Sequence, residues 1–332
     1  MALLASNVAT LKDFAKKLDP DGKAAAIAEI LSQTNEILDD MLFLEGNLPT
    51  GHRTTIRTGL PNVFWRLLNK GVPPSKSTTA QVDEGIGMLE AYSAVDIELA
   101  NLNGNSASFR LGEAQAFLEA MNQEMAQTIF YGNSSLSPEE FNGLSVRYSS
   151  LSAANGQNII NAGGSGSDNS SIYLVCWGQS TVHGIFPKGS KAGLEHKDLG
   201  EQTVEDGTGI AGSVFQAYRD HWKWKAGIAL KDWRYVVRIC NIDISALIAG
   251  SGADLPTLMI KALHRLPNMN MGKCVFYMNR TVFQMLDIQR RDDVQAGGQL
   301  DYSVVDGKMI YAFRGVPIKK CDSLLETEAA VA

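Results

Sequence analysis

The stretch that most narrows what this chain can fold into is residues 61–76, "PNVFWRLLNKGVPPSK". Val63, Trp65 and Leu67 alternate with Phe64 and Leu68, so in an extended backbone both faces carry large apolar side chains. Gly71 and the Pro73-Pro74 pair break the run, and "STTAQV" offers a β-rich return. The expectation is a long hairpin over residues 50–90 with a proline-stiffened tip. Two-stranded hairpins are marginal in water on their own, and this one is apolar on both sides. It needs cover, from its own domain or from a neighbouring subunit.

A second constraint comes from residues 221–239, "HWKWKAGIALKDWRYVVRI". Trp222, Trp224, Ala226, Ile228 and Leu230 fall on even positions. Beyond Lys231-Asp232 the phase inverts, and Trp233, Tyr235, Val237 and Ile239 take the odd ones. A period of two with one slip means either a long strand with a bulge or a hairpin turning at Lys231-Asp232. The turn lacks the Gly or Asn that a two-residue hairpin prefers. The first limb, about 10 residues, would reach about 33 Å. Lys223, Lys225, Lys231, Arg234 and Arg238 are interleaved with these aromatics. That leaves open a stacking platform for single-stranded nucleic acid.

Around these stretches the pattern is α+β. Asn7 can cap a helix that stops at Asp19-Pro20-Asp21-Gly22. A second amphipathic helix is expected near 23–44, with Ile27, Ile30, Leu31, Ile37, Leu38, Met41 and Leu42 on one face. A long helix near 108–131 has Leu111, Ala114, Leu118, Met121, Met125 and Ile129 as its expected buried stripe, with Gly132 as its stop. It would be a rod of roughly 30–36 Å. Residues 153–171 and 178–212 read as loops on either side of the strand "IYLVCW". Helices are expected at 255–266 and 279–291, flanking the strand "KCVFYM". Asp306-Gly307 marks a tight hairpin in "DYSVVDGKMIYAF".

Composition excludes several classes of function. A formal net charge of −6 over 332 residues disfavours general affinity for nucleic acid or acidic membranes. No apolar run approaches a membrane span, and the N-terminus does not read as a signal peptide. Cys176, Cys240, Cys274 and Cys321 form no C-x-x-C pair, which favours a reducing compartment with these cysteines as buried fillers. His52, His183, His196, His221 and His264 make no metal-binding spacing. His196, in "LEHKD", reads as part of a solvated loop. "GGSGSDNSS" lacks the lysine and the frame of a phosphate-binding loop, and no nucleophile elbow is present. No catalytic, cofactor-binding or metal site is expected, and therefore no cofactor and no enzyme activity.

Several segments resemble one family in order along the chain. "LDPDGKAAAIAEILSQTNEILDDM" and "EGNLPTGHRTTIRTGLPNVFWRLLNKGV" are similar to the N-terminal third of major capsid proteins of tailed bacteriophages, of the short-tailed-phage type. "PEEFNGL", "WKWKAGIALKDWRYVVRICNID" and "FRGVPIKKCD" extend the likeness. The resemblance implies the HK97-like capsid fold. It would place an N-terminal helical arm at 1–49 and an extended loop (E-loop) at 50–88. A peripheral domain with a spine helix would occupy 89–150. An axial domain at 151–332 would include returning peripheral strands near 214–243. Trp222, Trp224, Trp233 and Tyr235 would pack within the peripheral domain against the spine helix, and the interleaved basic residues would face a shell surface or a neighbour's carboxylates. Phe64, Trp65, Leu67 and Leu68 would lie across an adjacent subunit, with Arg53, Arg57 and Arg66 fixing the register.

The function implied is self-assembly into hexamers and pentamers of an icosahedral shell around a double-stranded DNA genome, without sequence-specific binding. The implied partners are copies of itself, a separate scaffolding protein, a portal protein and a cement or decoration protein, with no membrane. Synthesis in the host bacterial cytoplasm and residence in the virion follow. Lysines at the loop tip, Lys70 and Lys76, are not expected to cross-link. Two other readings use the same residues. One is an encapsulin-like shell around a cargo enzyme, and the other is a nucleic-acid-binding module built on the 221–239 stretch.

Overall fold

The structure, a computed structural model, describes residues 32–102, 106–205, 214–292, 301–305 and 308–332. The expected helix over 7–18, the start of the one near 23–44, and the Asp306-Gly307 tip lie outside the described residues. The chain divides into two compact units. One comprises residues 1–35, 88–127 and 193–225, and the other 36–87, 128–192 and 226–332.

The larger unit is built on a mixed sheet. Its strands are β1 (Phe43–Glu45), β5 (Ile159–Asn161), β6 (Asn169–Trp177), β7 (Val182–Phe186), β10 (Val236–Asp243), β11 (Lys273–Met278), β12 (Asp301–Val305), β13 (Lys308–Phe313) and β14 (Val316–Lys320). They are joined by the end of β9 (Val214–Leu230), which runs antiparallel to β7 from Val182↔Leu230 to Ile185↔Gly227. The centre is β6, paired antiparallel to β10 on one side and β11 on the other. Every residue of β6 is buried, as a strand covered on both faces requires. Helices α2 (Leu255–Arg265) and α3 (Arg280–Asp292) contribute Leu258, Met259, Leu263, Val282 and Leu286 to the same core. Asp254 caps α2 through its side chain, and Pro256 sits in the first turn. β12 and β13 pair antiparallel, as expected for a hairpin there.

The same unit carries a separate two-stranded ribbon, β2 (Gly51–Gly59) with β3 (Thr78–Gly85), registered from Gly51↔Gly85 to Gly59↔Thr78. Residues 60–77 between them hold no strand. The expected alternation at 61–68 is therefore wrong as a strand. Pro61 and the Pro73-Pro74 pair cannot supply ladder N–H groups, and the tip closes on a left-handed turn at Asn69, φ 61°.

The smaller unit holds most of β4 (Gly87–Asp96), β8 (Leu194–Glu205), most of β9 and most of the 26-residue helix α1 (Ser106–Tyr131). β8 pairs antiparallel to β9 from Leu194↔Trp224 to Glu205↔Val214. Hence the described part of the expected 178–212 loop, residues 178–205, contains β7 and β8. The expected loop at 153–171 likewise includes β5 and the start of β6.

Three further expectations are corrected. Of the helix near 23–44, the described part is a single turn, Ile37–Asp40, followed by β1. In α1, Met121, Met125 and Ile129 are buried, whereas Leu111 and Leu118 are exposed. The 221–239 stretch is neither a bulged strand nor a hairpin. β9 is 17 residues long and ends at Leu230, a 3-10 turn occupies Trp233–Tyr235, and β10 then pairs with β5 and β6 rather than with β9. The phase inversion is the change of strand.

Candidate functional site

Among the described residues, a run of exposed large apolar side chains gathers at the tip of the β2–β3 ribbon. Trp65 is 103% exposed, Val63 89% and Leu68 88%, with Leu60, Phe64, Leu67 and Val72 also open. Apolar exposure of this extent on one protrusion exceeds the scattered single residues ordinary on a monomer's surface. The tip is held together by its own backbone: Arg66 Nε donates to the Lys70 carbonyl at 3.0 Å and Ser75 Oγ to the Asn62 carbonyl at 2.6 Å. Phe64, Trp65, Arg66, Leu67 and Leu68 are thereby gathered on the tip. Arg53 and Arg57 sit back along β2. Arg53 is paired bidentately with Asp83 on β3, at 2.6 and 2.7 Å, which raises the arginine's pKa and lowers the aspartate's. It braces the ribbon itself.

The ribbon's root is built differently. Glu84 on β3 receives both terminal nitrogens of Arg147 at 2.6 Å. Arg147 also donates to the carbonyls of Asn142 and Ile228. Both side chains are largely buried, so this is a fork-to-fork pair away from water. Gly227 on β9 lies against the same root, and a Cβ there would sit 2.5 Å from the Gly85 carbonyl oxygen. Beside it the His52 ring, on β2, meets the His183 ring, on β7, edge-on at 5.8 Å. The Nδ1 atoms of both are buried without a hydrogen-bond partner. Burial, followed by the Lys231 ammonium, lowers both pKa values, that of His183 to about 4.

Two buried carboxylates tie distant segments into the large unit. Asp40 takes Lys319 Nζ at 2.9 Å, Lys273 Nζ at 2.5 Å and the Tyr277 hydroxyl at 2.8 Å. Burial works to raise its pKa, but these donors hold it below the usual range. Glu328 takes Arg238 Nη2 at 2.8 Å and the hydroxyls of Ser171 and Tyr131. Arg238 spends its other donors on Ser171 Oγ and the carbonyls of Tyr148 and Ser145.

The aromatic stretch is divided. In the smaller unit Trp222 lies between Phe117 of α1, 5.2 Å away and 9° from parallel, and His196 at 5.2 Å. Trp224 is half-buried two residues on. In the larger unit Trp233 occupies the 3-10 turn, where its carbonyl accepts from the Tyr148 hydroxyl at 2.6 Å, and Tyr235 enters the sheet core. The structure thus stacks Trp222 on the long helix, while Trp233 and Tyr235 belong to the larger unit with its sheet. The interleaved basic residues are also dispersed: Lys223 pairs with Glu90 at 2.7 Å, Arg234 with Asp232, and Arg238 is buried. Lys231 donates to the Gln179 carbonyl at 2.9 Å, so four of the five basic side chains are engaged by this chain's own oxygens rather than left free for phosphates. His196 is on β8 and bonds Asp220 at 3.0 Å, not in a solvated loop.

Sequence reasoning missed the root pairings, because Glu84, Arg147, His52 and His183 are far apart in the chain. It also misplaced Arg238, expected to face outward with the other basic residues but buried against Glu328; its apolar neighbours in "VVRIC" are the signal that could have shown this. Among the described residues no group of three or more His, Cys, Asp or Glu is placed to hold a metal. No described helix is long and apolar enough to cross a membrane.

Comparison with known proteins gives these features a family. The family model for major capsid protein GP7 matches residues 19–332. A chain of the near-atomic structure of bacteriophage epsilon15, derived from cryo-EM and modeling, is similar over 100% of this chain and 99% of its own, with 34% identity and a TM-score of 0.79. The capsid of bacteriophage JBD30 is similar at 9% identity, with a TM-score of 0.48 over 89% of this chain and 92% of that one. The SrpI encapsulin complex from Synechococcus elongatus PCC 7942 is similar at 9% identity, with a TM-score of 0.43 over 66% and 93%. No curated protein matches the chain significantly. With the family matched over nearly its full length, the chain belongs to the major capsid protein GP7 family, with the HK97-like fold of a phage shell assembled from copies of one protein.

Proposed function

We propose that the 60–72 tip is the contact by which each subunit grips its neighbour, and that the shell is an icosahedral one of hexamers and pentamers enclosing a double-stranded DNA genome. The observation that carries this is the run of large apolar side chains left open on the ribbon tip. In this reading residues 50–88 are the extended loop, 89–150 contain the spine helix, and 151–332 form the axial domain with strands returning near 214–243. Arg57 and Arg66 supply charged contacts at the seam. Fully covering one Trp side chain is worth about 4–6 kcal/mol at ~25 cal/mol per Å² before ordering costs. Repetition around closed rings then turns modest contacts into a durable container.

The role is structural rather than catalytic, and the genome is held without sequence-specific contacts. Scaffolding, portal and cement proteins complete the particle, and the subunit is made in the host cytoplasm. Electron microscopy of purified wild-type and Trp65→Ala protein tests the tip. The variant is expected to retain its folded-subunit circular dichroism while losing most closed particles. Wild-type particle yield from Trp65→Ala overturns the assignment. Nuclease-resistant double-stranded DNA inside the particles supports genome packaging, and a protein cargo in its place refutes it.

A further inference from the structure

The four cysteines are all buried and reduced, yet two of them face each other. Cys176 on β6 and Cys274 on β11 are direct partners across the antiparallel pair. Residues opposite one another in such a pair have Cα atoms about 4.5–5.5 Å apart, inside the ~4.4–6.8 Å range that a disulfide spans. Being in register, their side chains share one face of the sheet, and both belong to the main core cluster. The space is kept by Gly272, where a Cβ would lie 3.3 Å from the Cys176 sulfur and 2.2 Å from the Trp177 carbonyl oxygen. The Cys274 thiol donates to the Met269 carbonyl at 3.4 Å, and the two facing sulfurs move each other's pKa in opposite directions, that of Cys176 down and that of Cys274 up, which favours Cys176 as the nucleophile.

We propose that Cys176 and Cys274 form a latent redox pair that closes to a cross-strand disulfide when a hydroperoxide reaches the core. The Cys176 thiolate attacks one peroxide oxygen, the O–O bond breaks, and a sulfenic acid forms with release of hydroxide, which leaves as water. The Cys274 sulfur then attacks the sulfenic sulfur, the S–O bond breaks, and a second water departs. Two thiols and one hydrogen peroxide give one disulfide and two waters. A water-sized oxidant suits a pair with no room for a bulky mixed disulfide. Reduced during assembly in a thiol-rich cell, the pair would oxidise in a released particle and join two central strands across a loop of about 100 residues, a length at which restriction of the unfolded chain is large.

Peptide mapping of the intact protein after hydrogen peroxide, with free thiols alkylated on denaturation, tests this directly. The expected result is a Cys176–Cys274 linked peptide and two alkylated thiols, Cys240 and Cys321. Dithiothreitol should restore all four, and the melting temperature should rise on oxidation and fall back on reduction. In Cys274→Ala a dimedone-reactive sulfenic acid should persist at Cys176. Four alkylatable thiols after peroxide, or links that include Cys240 or Cys321, overturn the proposal. The wild-type map is decisive even where the variant does not fold.

Discussion

Lowering the pH from 7 to 4 should remove about 3 kcal/mol of stability through His183 alone. This side chain is 1% exposed, and its Nδ1 has no partner. Burial, the Lys231 ammonium and the His52 ring all oppose a charge there, against a backbone hydrogen bond to Gly178 that favours it; the net effect lowers the pKa from 6.5 to about 4. Glu84, the carboxylate opposite His52 across the ribbon, is already held by Arg147. In the unfolded chain His183 binds its proton near 6.5, so on acidification the unfolded state is protonated first. The stability is fully present above about 6.5 and is lost as the pH falls to about 4. A gap of about 2.5 pH units at 1.36 kcal/mol each gives about 3 kcal/mol. His52, lowered for the same reasons, adds in the same direction. Asp40 and Glu90 have lowered pKa values, so their contributions are lost only below their unfolded values of 3.8 and 4.5, largely outside this window. Urea unfolding of dissociated subunits across this range should show His183→Gln losing about 3 kcal/mol less than wild type. Identical slopes, or an imidazole titration of folded wild type placing His183 near 6.5, would refute the argument.

Replacing Arg238 by Met leaves Glu328 charged in a buried site and should destabilise the fold by about 3–5 kcal/mol in chemical denaturation, much of which Arg238→Met with Glu328→Leu should recover. Gly227→Ala drives a methyl to within 2.5 Å of the Gly85 carbonyl and should cost about 1–3 kcal/mol, with faster protease cleavage in 51–85 as the readout.

Sequence periodicity located those elements whose burial is one-sided or complete. The long helix, "IYLVCW", "KCVFYM" and the two C-terminal helices all appear where apolar spacing placed them. It failed where apolar character and cover part company. Leu111 and Leu118 keep the helical period of Met121 and Met125 but are open in the subunit, because spacing records greasiness and not what lies above it. β8 was invisible since "LEHKDLGEQTVE" is polar on both faces, with Gly200 at φ 69° within a register slip. The 3-10 turn had a local signal, the Asp232 carboxylate accepting from the Arg234 N–H at 3.0 Å, a pattern that side-chain-capped turns share. The ribbon tip was legible as surface in need of cover. Its root was not, because Arg147 and Glu84 are 63 residues apart.

The β2–β3 ribbon also acts as a gauge. Nine residues of β2 at about 3.3 Å each set the tip about 30 Å from its anchorage. Adding or removing a single residue on both strands would rotate every tip side chain to the opposite face, whereas a change of two would preserve facing and shift the reach by about 7 Å. If the tip grips a neighbour as proposed, the spacing between the two subunits is available only in discrete steps, and strand length sets the curvature of the container in increments rather than continuously.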